Sequence, residues 1–487
     1  MASPAVAIVG AGFGGIGAAI HRRSSGDDNF LLIEQEGGVG GTWWANRYPG
    51  AACDIPSHLY SYSFAPNPNW TRSYPGQREI EAYLNDCTQR FGLVPRLRLH
   101  TRLSHLHWDE AQRLWHARVF DAAGQEHELL ARTVTLATGP LSRPVTPAID
   151  GLQRFRGPVI HTARWPDDFD AAGRSIGVIG TGASAIQVVP QLARSARQLT
   201  VFQRNAPWIL PRRDAAIGPL ARWLYTHVPG ARRAARAAVY ARHELRAPAF
   251  VRHPRWLKAL EPLALHHLHR RVAPGPLRDA LTPHYRMGCK RILIADDYYP
   301  TLTLPHVHLE TSAIAEVEPH GVRLADGRAI ALDTLITATG FDAADVKPPC
   351  PVIGPQGRTL HAVWAAKPEA YLGTMVAGFP NLFTVIGPNT GLGHNSMVFI
   401  IESQLAFIDD AMRELKAHAW LAPTADAQER FNAELHARLP RTVWATGCHS
   451  WYHRADGRIT TLWPGTTLEF RRRTRRVAAS DFEFALA

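Results

Sequence analysis

Ala5-Val6-Ala7-Ile8-Val9-Gly10-Ala11-Gly12-Phe13-Gly14-Gly15 decides the fold. An apolar, β-branched run leads into glycines spaced Gly10-x-Gly12-x-x-Gly15, and a helical pattern follows. With 38 glycines in 487 residues, chance alone supplies that spacing roughly 0.2 times per chain, so the glycines by themselves carry little weight. Their context carries more. They sit between a strand and a helix, and Glu34 closes the next apolar run, 24 residues after Gly10, where a carboxylate can take ribose hydroxyls. Gly10, Gly12 and Gly15 let the backbone approach a pyrophosphate, and the helix start supplies N–H donors and partial positive charge.

The same grammar recurs once. Ser175-Ile176-Gly177-Val178-Ile179 is followed by Gly180-Thr181-Gly182-Ala183-Ser184-Ala185, with Ala185 standing in for the third glycine. Two strand, turn and helix openings predict an α/β fold with two Rossmann-like dinucleotide-binding units, hence two bound nucleotides. Thr181 and Gln187 are placed to add hydrogen bonds to the second nucleotide's phosphates. Arg204, after Val201-Phe202-Gln203, falls where a ribose 2′-phosphate would lie, and an arginine there instead of an acid favours NADPH over NADH.

Working outward, 97–136 and 307–336 alternate apolar and polar residues between turn signals and read as two β-meanders. They close on matching phrases, Leu136-Ala137-Thr138-Gly139 and Thr337-Ala338-Thr339-Gly340. The stretch 215–285 is Ala-, Arg- and Leu-rich with helical periodicity and reads as a helical insertion over the active site. The expected division is a first domain over 1–140, a second over 150–340 that includes the insertion, and a return to the first over 341–487.

Composition narrows the class. The five cysteines, Cys53, Cys87, Cys289, Cys350 and Cys448, are odd in number and nowhere form Cys-x-x-Cys, which predicts a reducing compartment without structural disulfides. The strand-like run begins too early to leave room for a leader, and no stretch approaches 18 uninterrupted apolar residues. A cytoplasmic protein without a transmembrane segment is expected. The net charge of +12 is arginine-driven and reads as a solvated helix face plus a site for an anionic cofactor. Peripheral contact with an anionic membrane is compatible with it. Basic and aromatic residues do not interleave as in single-strand binders, so no nucleic-acid partner is expected. The histidines His105, His107, His266, His267 and His269 lack a ligand pattern, and no metal is expected.

Phe155-Arg156-Gly157-Pro158-Val159-Ile160-His161-Thr162-Ala163-Arg164-Trp165-Pro166 matches Phe-x-Gly-x-x-x-His-x-x-x-Trp-Pro. Its chance expectation is on the order of 10⁻⁴ per chain. This is the fingerprint of type I Baeyer–Villiger monooxygenases, which the chain resembles. Gly40-Gly41-Thr42-Trp43, Tyr48-Pro49-Gly50, Asp54 and Gly288-Cys289-Lys290-Arg291 are also similar to that family, so the resemblance runs from residue 5 to about 465. It is weakest in the helical insertion. Asn205 stands where many relatives carry a hydroxyl residue, which loosens the inference of strict NADPH preference.

The resemblance implies an FAD- and NADPH-dependent enzyme that inserts one oxygen atom from O2 beside a ketone carbonyl, giving an ester or lactone through a C4a-peroxyflavin. It implies that Arg291 is the cation beside that peroxide and that Asp54 orients it. An arginine suits this position because it keeps its proton at working pH and presents a rigid fork of donors. Lys290 and Arg204 are implied at the 2′-phosphate, Trp451 at the nicotinamide, and Thr42, Trp43, Tyr60 and Met397 along the flavin. Phe155, Gly157, His161 and Trp165 are implied to work at the domain linker, with His161 coupling NADP binding to closure rather than acting as a base.

The competing enzyme is a flavin-containing monooxygenase that oxidises nitrogen or sulfur. It shares both nucleotide turns but resembles this chain less at Trp165-Pro166 and in Asp54 and Lys290-Arg291. A pyridine nucleotide-disulfide reductase requires a paired cysteine motif that is absent. A flavoprotein that binds without turnover, as a redox sensor or membrane-surface partner, is the reading from a different class.

Overall fold

A computed structural model describes residues 6–448 and 450–486. Both strand, turn and helix openings form as the sequence predicts, and each nucleates a five-stranded parallel sheet. In the first sheet the strands run Leu382–Thr384, Thr133–Leu136, Val6–Val9, Phe30–Ile33 and Leu97–Arg98. Val6 pairs with Phe30 on one side and Thr133 on the other. In the second the order is Val307–Glu310, Gln198–Phe202, Ser175–Ile179, Thr334–Thr337 and Val159–His161. The fold is α/β with two Rossmann-like units, and the inner strands are apolar because helices and meanders cover both faces.

The meanders are shorter than their sequence patterns. Arg102–Asp109, Leu114–Phe120 and Glu126–Ala131 form an antiparallel sheet joined by Val352–Ile353. Ile314–Glu318, Gly321–Leu324 and Ala329–Ala331 form another. The ends of each stretch belong to the parallel sheets instead. Thr133–Leu136 and Thr334–Thr337 are buried at every position, whereas Leu114–Phe120 alternates. An alternating strand keeps one face in water, and a continuously buried one needs cover on both.

Between the halves of the second unit lie the helices Pro219–His227, Ala231–Glu244, Ala247–Val251, Glu261–His269 and Pro276–Ala280. Two polar anchors seat this insertion on the first unit. Arg236 donates to the carbonyls of Ser61 at 2.8 Å and His58 at 3.0 Å. Glu244 accepts from the Thr467 hydroxyl at 2.7 Å and the Asn395 amide at 2.8 Å. No helix among the described residues is long and apolar enough to cross a membrane.

One sequence expectation is overturned. Cys289 and Cys448 form a disulfide across 159 residues, with Cα atoms 6.2 Å apart. Cysteine spacing gave no sign of it, because the fold and not the local chain brings the two sulfurs together. Cys53, Cys87 and Cys350 are free.

Candidate active site

Both glycine turns are shaped for close backbone approach. Gly10 has φ +102°, and a Cβ there would lie 2.6 Å from the Ala137 carbonyl oxygen. Gly180 repeats this with φ +117° against Ala338 at 2.6 Å. A Cβ on Gly15 would come within 1.7 Å of the Gly10 carbonyl oxygen, so only glycine lets that helix pack. At Gly182 an added Cβ would meet nothing within 4 Å, which leaves an open cradle beside the helix start. Helices Phe13–Ser24 and Ala183–Leu192 have no side-chain cap. Their first N–H groups are thus left for another acceptor, the arrangement that suits a pyrophosphate.

Glu34 is buried past the end of its strand and accepts from the backbone N–H of Ala11 at 2.7 Å and of Glu36 at 2.9 Å. Burial raises its pKa above the ordinary carboxylate value, against the pull of those N–H groups. Thr42 is exposed at the start of the short helix Thr42–Ala45. The Trp43 indole N–H donates to the Tyr60 hydroxyl at 3.0 Å, and the two rings meet edge-on at 5.7 Å. Met397 opens helix Met397–Glu414 and packs on the same core as Phe13 and Trp43. Tyr60 also meets the Phe13 ring edge-on at 5.2 Å, which puts Trp43 and Tyr60 beside the first turn.

At the second turn the two polar helpers are differently engaged. The Thr181 hydroxyl donates to the Asn205 carbonyl at 3.0 Å. The Gln187 side chain takes the Tyr48 hydroxyl at 2.8 Å and donates to the Ala52 carbonyl at 3.0 Å. Gln187 thus docks the second unit onto the first rather than standing free for a phosphate. Arg204 is exposed just after its strand. Lys290 donates to the Asn205 side-chain oxygen at 2.8 Å. Burial first, and then the neighbouring Arg204 charge, lower the Lys290 pKa. Lys290 and Arg204 lie close enough for their charges to repel, and among the described residues no carboxylate pairs with Lys290, an arrangement able to take a dianion.

Asp54 and Arg291 come from different units and meet side-on. The Arg291 Nε donates to Asp54 Oδ2 at 2.8 Å, and Nη2 reaches Oδ1 at 2.7 Å and Oδ2 at 2.5 Å. The pair is partly open, with side-chain exposures of 36% and 24%. Asp54 raises the Arg291 pKa further above its already high value. Nε and Nη2 are spent on Asp54, and among the described residues Nη1 makes no hydrogen bond.

The fingerprint residues cluster at the edge of the second sheet. Phe155 is buried, and a Cβ on Gly157 would come within 2.2 Å of the Asp333 carbonyl oxygen. His161 ends its strand, accepts from the Ala163 N–H at 3.0 Å and meets the Phe341 ring edge-on at 6.0 Å. Burial lowers its pKa below the ordinary imidazole value. Trp165 packs edge-on against Phe169 at 5.3 Å. Trp451 is 41% exposed, with its ring 4.4 Å from that of buried Tyr452.

Sequence reasoning missed several residues here. Tyr48 lies inside the quoted Tyr48-Pro49-Gly50 phrase, but nothing local pointed it at Gln187. The Gln77 amide supports Trp43 by donating to its carbonyl at 2.5 Å. Arg212 donates to the Cys53 carbonyl at 3.3 Å and lies over the Tyr74 ring at 5.3 Å. Tyr452 is buried, which pushes its phenol up to about 12, while the Arg291 charge pulls it down.

Comparison with known proteins gives this geometry a family. A Baeyer–Villiger monooxygenase of Streptomyces coelicolor is 45% identical over 98% of this chain and 92% of its own length. The chain belongs to the Baeyer–Villiger monooxygenase family. A second Baeyer–Villiger monooxygenase, from Pseudomonas aeruginosa, is 44% identical over 98% of this chain and 90% of its own. The family model described as pyridine nucleotide-disulphide oxidoreductase matches residues 7–222, which span both glycine turns. Among solved structures, an oxidized steroid monooxygenase bound to NADP superposes with a TM-score of 0.85 at 32% identity over all of both chains. A closed cyclohexanone monooxygenase superposes with a TM-score of 0.87 at 27% identity over 99% of each. OTEMO in complex with FAD and NADP gives 0.86 at 29% identity, over 99% of this chain and 100% of its own.

Proposed function

We infer that this chain is an FAD- and NADPH-dependent Baeyer–Villiger monooxygenase that converts a ketone and O2 to an ester or lactone. The observation that carries the reading is the side-on Asp54–Arg291 pair, which joins a residue of each nucleotide unit. When bound, FAD reduced by NADPH supplies the activation of O2. FAD belongs at the Gly10 turn with Glu34, Thr42, Trp43, Tyr60 and Met397, and NADPH at the Gly180 turn with Arg204, Lys290 and Trp451. We place the FAD domain in 1–140 and 341–487 and the NADP domain in 150–340, with the insertion over 215–285.

Arg291 holds a fixed positive charge in the cleft and keeps its proton throughout turnover. Asp54 fixes the guanidinium plane, so that the Nη1 donors point one way without reorganising when negative charge develops on oxygen. Tyr452 stays a neutral hydroxyl at working pH and adds no competing charge. Gln187 and Tyr48 hold the units in register, and the ring faces of Trp43 and Trp451 exclude water from either side. A nitrogen- or sulfur-oxidising enzyme needs no such cation, and the family membership favours the ketone reading.

NADPH consumption by the FAD-loaded enzyme should rise on adding a ketone, with ester or lactone in the products by mass spectrometry. Sulfoxide or N-oxide as the sole products would replace this reading with the alternative.

The need for NADPH supports a cytoplasmic setting. Peripheral membrane contact is a second, independent reading of the insertion. Leu220, Trp223 and Leu224 are 72%, 53% and 40% exposed along one helix face. Glu244 is the single carboxylate between Ala215 and Leu260, and it is spent on Thr467. An apolar stripe in a basic surround fits an anionic bilayer. Flotation with phosphatidylserine vesicles but not phosphatidylcholine vesicles supports this contact. No flotation with either, or self-association through the same face, rejects it.

A further inference from the structure

The strip 288–291 makes three successive contacts to three parts of the fold. Lys290 reaches Asn205 at the second turn, and Arg291 reaches Asp54 in the first unit. Cys289 is joined to Cys448, three residues before Trp451. Among the described residues, no hydrogen bond joins 288–291 to 446–453. Within 446–453 the hydrogen bonds run to near neighbours, as from His453 to the Trp444 carbonyl at 3.0 Å and from the Thr461 hydroxyl to the Tyr452 carbonyl at 3.3 Å, while the stretch that follows is seated on Asn389, which donates to the Ile459 and Leu462 carbonyls at 3.0 Å. Among the described residues the covalent link is the one bonded tie between the Arg291 strip and the segment carrying Trp451, and it adds to the approach of Tyr452 to the Arg291 charge.

We propose that Cys289–Cys448 is a reversible oxidative modification site, cleaved by low-molecular-weight thiols of the glutathione class, whose disulfide state holds the Trp451 segment against the Arg291 strip and so tightens NADP binding. This rests on the placement of NADP beside Lys290 and Trp451. The Cα separation of 6.2 Å lies within the range that a disulfide spans without backbone movement. The two sulfurs differ in access, since Cys289 is fully buried and Cys448 is partly exposed. An incoming thiolate attacks Sγ of Cys448, the S–S bond breaks, and its electron pair leaves on Sγ of Cys289, which takes up a proton. A second thiol then attacks the mixed disulfide and releases Cys448 as a thiol. In sum, two external thiols are oxidised to one external disulfide and the protein gains two thiols. Oxidised glutathione runs the exchange backwards. Disulfides inside cells are mostly catalytic or redox-sensing, which suits a link placed beside the reaction site.

The test compares the FAD-loaded full chain equilibrated with oxidised or reduced glutathione. After denaturation, thiol titration should count three free thiols, those of Cys53, Cys87 and Cys350, in the first sample and all five cysteines in the second. NADP+ should bind more weakly in the reduced sample, by about 5-fold or more. Trypsin should also cleave faster after exposed Arg458 in that sample. Cys448→Ser should show the reduced-state affinity and cleavage rate under both conditions, with four free thiols in each, while Cys350→Ser should change its affinity and cleavage rate as the wild type does. Five free thiols under oxidising conditions overturn the proposal, as do equal NADP+ affinities together with equal cleavage rates. Should NADP+ bind neither sample, the nucleotide placement fails. The link between disulfide and segment is then decided by cleavage rate alone, where a difference supports it and equality rejects it.

Discussion

The Tyr48 hydroxyl and the Gln187 side chain meet at 2.8 Å, 139 residues apart in sequence. Tyr48 lies in the loop after the first unit's second strand, and Gln187 lies in the helix that opens the second unit. This contact, with the Gln187 bond to the Ala52 carbonyl, ties the first unit to the helix that follows the second nucleotide turn. Gln187→Ala removes the acceptor of a buried tyrosine hydroxyl and should cost about 1–3 kcal/mol. Thermal unfolding of the FAD-loaded protein should shift down, and hydride transfer from NADPH should slow as the turns lose register. Stopped-flow reduction of the flavin measures the second effect.

Arg291→Ala should leave flavin reduction by NADPH largely intact while ester formation falls by about 10²-fold or more, the usual effect of removing a preorganised charge partner. Asp54→Asn keeps the shape but loosens the fork, so its loss should be smaller. Product quantification beside single-turnover reduction separates the two steps. Unchanged ester yield in Arg291→Ala would remove the guanidinium from the chemistry.

Arg204→Ala and Lys290→Ala should each raise the KM for NADPH by about 10-fold or more, at roughly 1.5–3 kcal/mol per charge-assisted bond. The KM for NADH should barely move, because it lacks the 2′-phosphate. Steady-state kinetics with both nucleotides decides it, and equal effects would place the two cations elsewhere.

Gly10→Val should yield protein without FAD. The new side chain would begin 2.6 Å from the Ala137 carbonyl oxygen in a backbone conformation that valine avoids. The absorbance of the purified variant reads this directly, and a yellow, fully loaded protein would refute the first-turn assignment.

His394 sets a pH window. It is buried, neither ring nitrogen has a partner among the described residues, and burial pushes its pKa down to about 4 from an ordinary 6.5. The unfolded chain therefore binds a proton at higher pH than the folded one. The stability from keeping this ring neutral is complete above 6.5 and drains away as pH falls towards 4. Melting temperatures should fall across that interval, and His394→Leu should fall less steeply.

The nucleotide turns were legible because their glycines are dictated locally. Gly10, Gly15 and Gly180 each sit where a Cβ would strike a neighbouring carbonyl. Asp54 and Arg291 came from family resemblance, since no rule of spacing pairs residues 237 positions apart. What stayed hidden was set by packing between distant segments. Gln187 looked free for a phosphate because nothing near it in sequence reveals Tyr48. Cys289 and Cys448 looked unpaired because cysteine arithmetic reads spacing, and theirs is created by the fold. The meander ends misled because alternation in 97–136 continues into Thr133–Leu136, which only the neighbouring strands show to be covered on both faces.

The strand Leu382–Thr384 completes the first sheet beside Thr133–Leu136, after the whole second unit has intervened. During synthesis on the ribosome, the amino-terminal sheet must wait with an open edge until some 250 further residues have emerged, many seconds at ordinary elongation rates. An unpaired parallel edge is a template for aggregation. A chain cut short before residue 382 should therefore gather into inclusion bodies, and the newborn protein should lean on chaperones while its second unit is already folded.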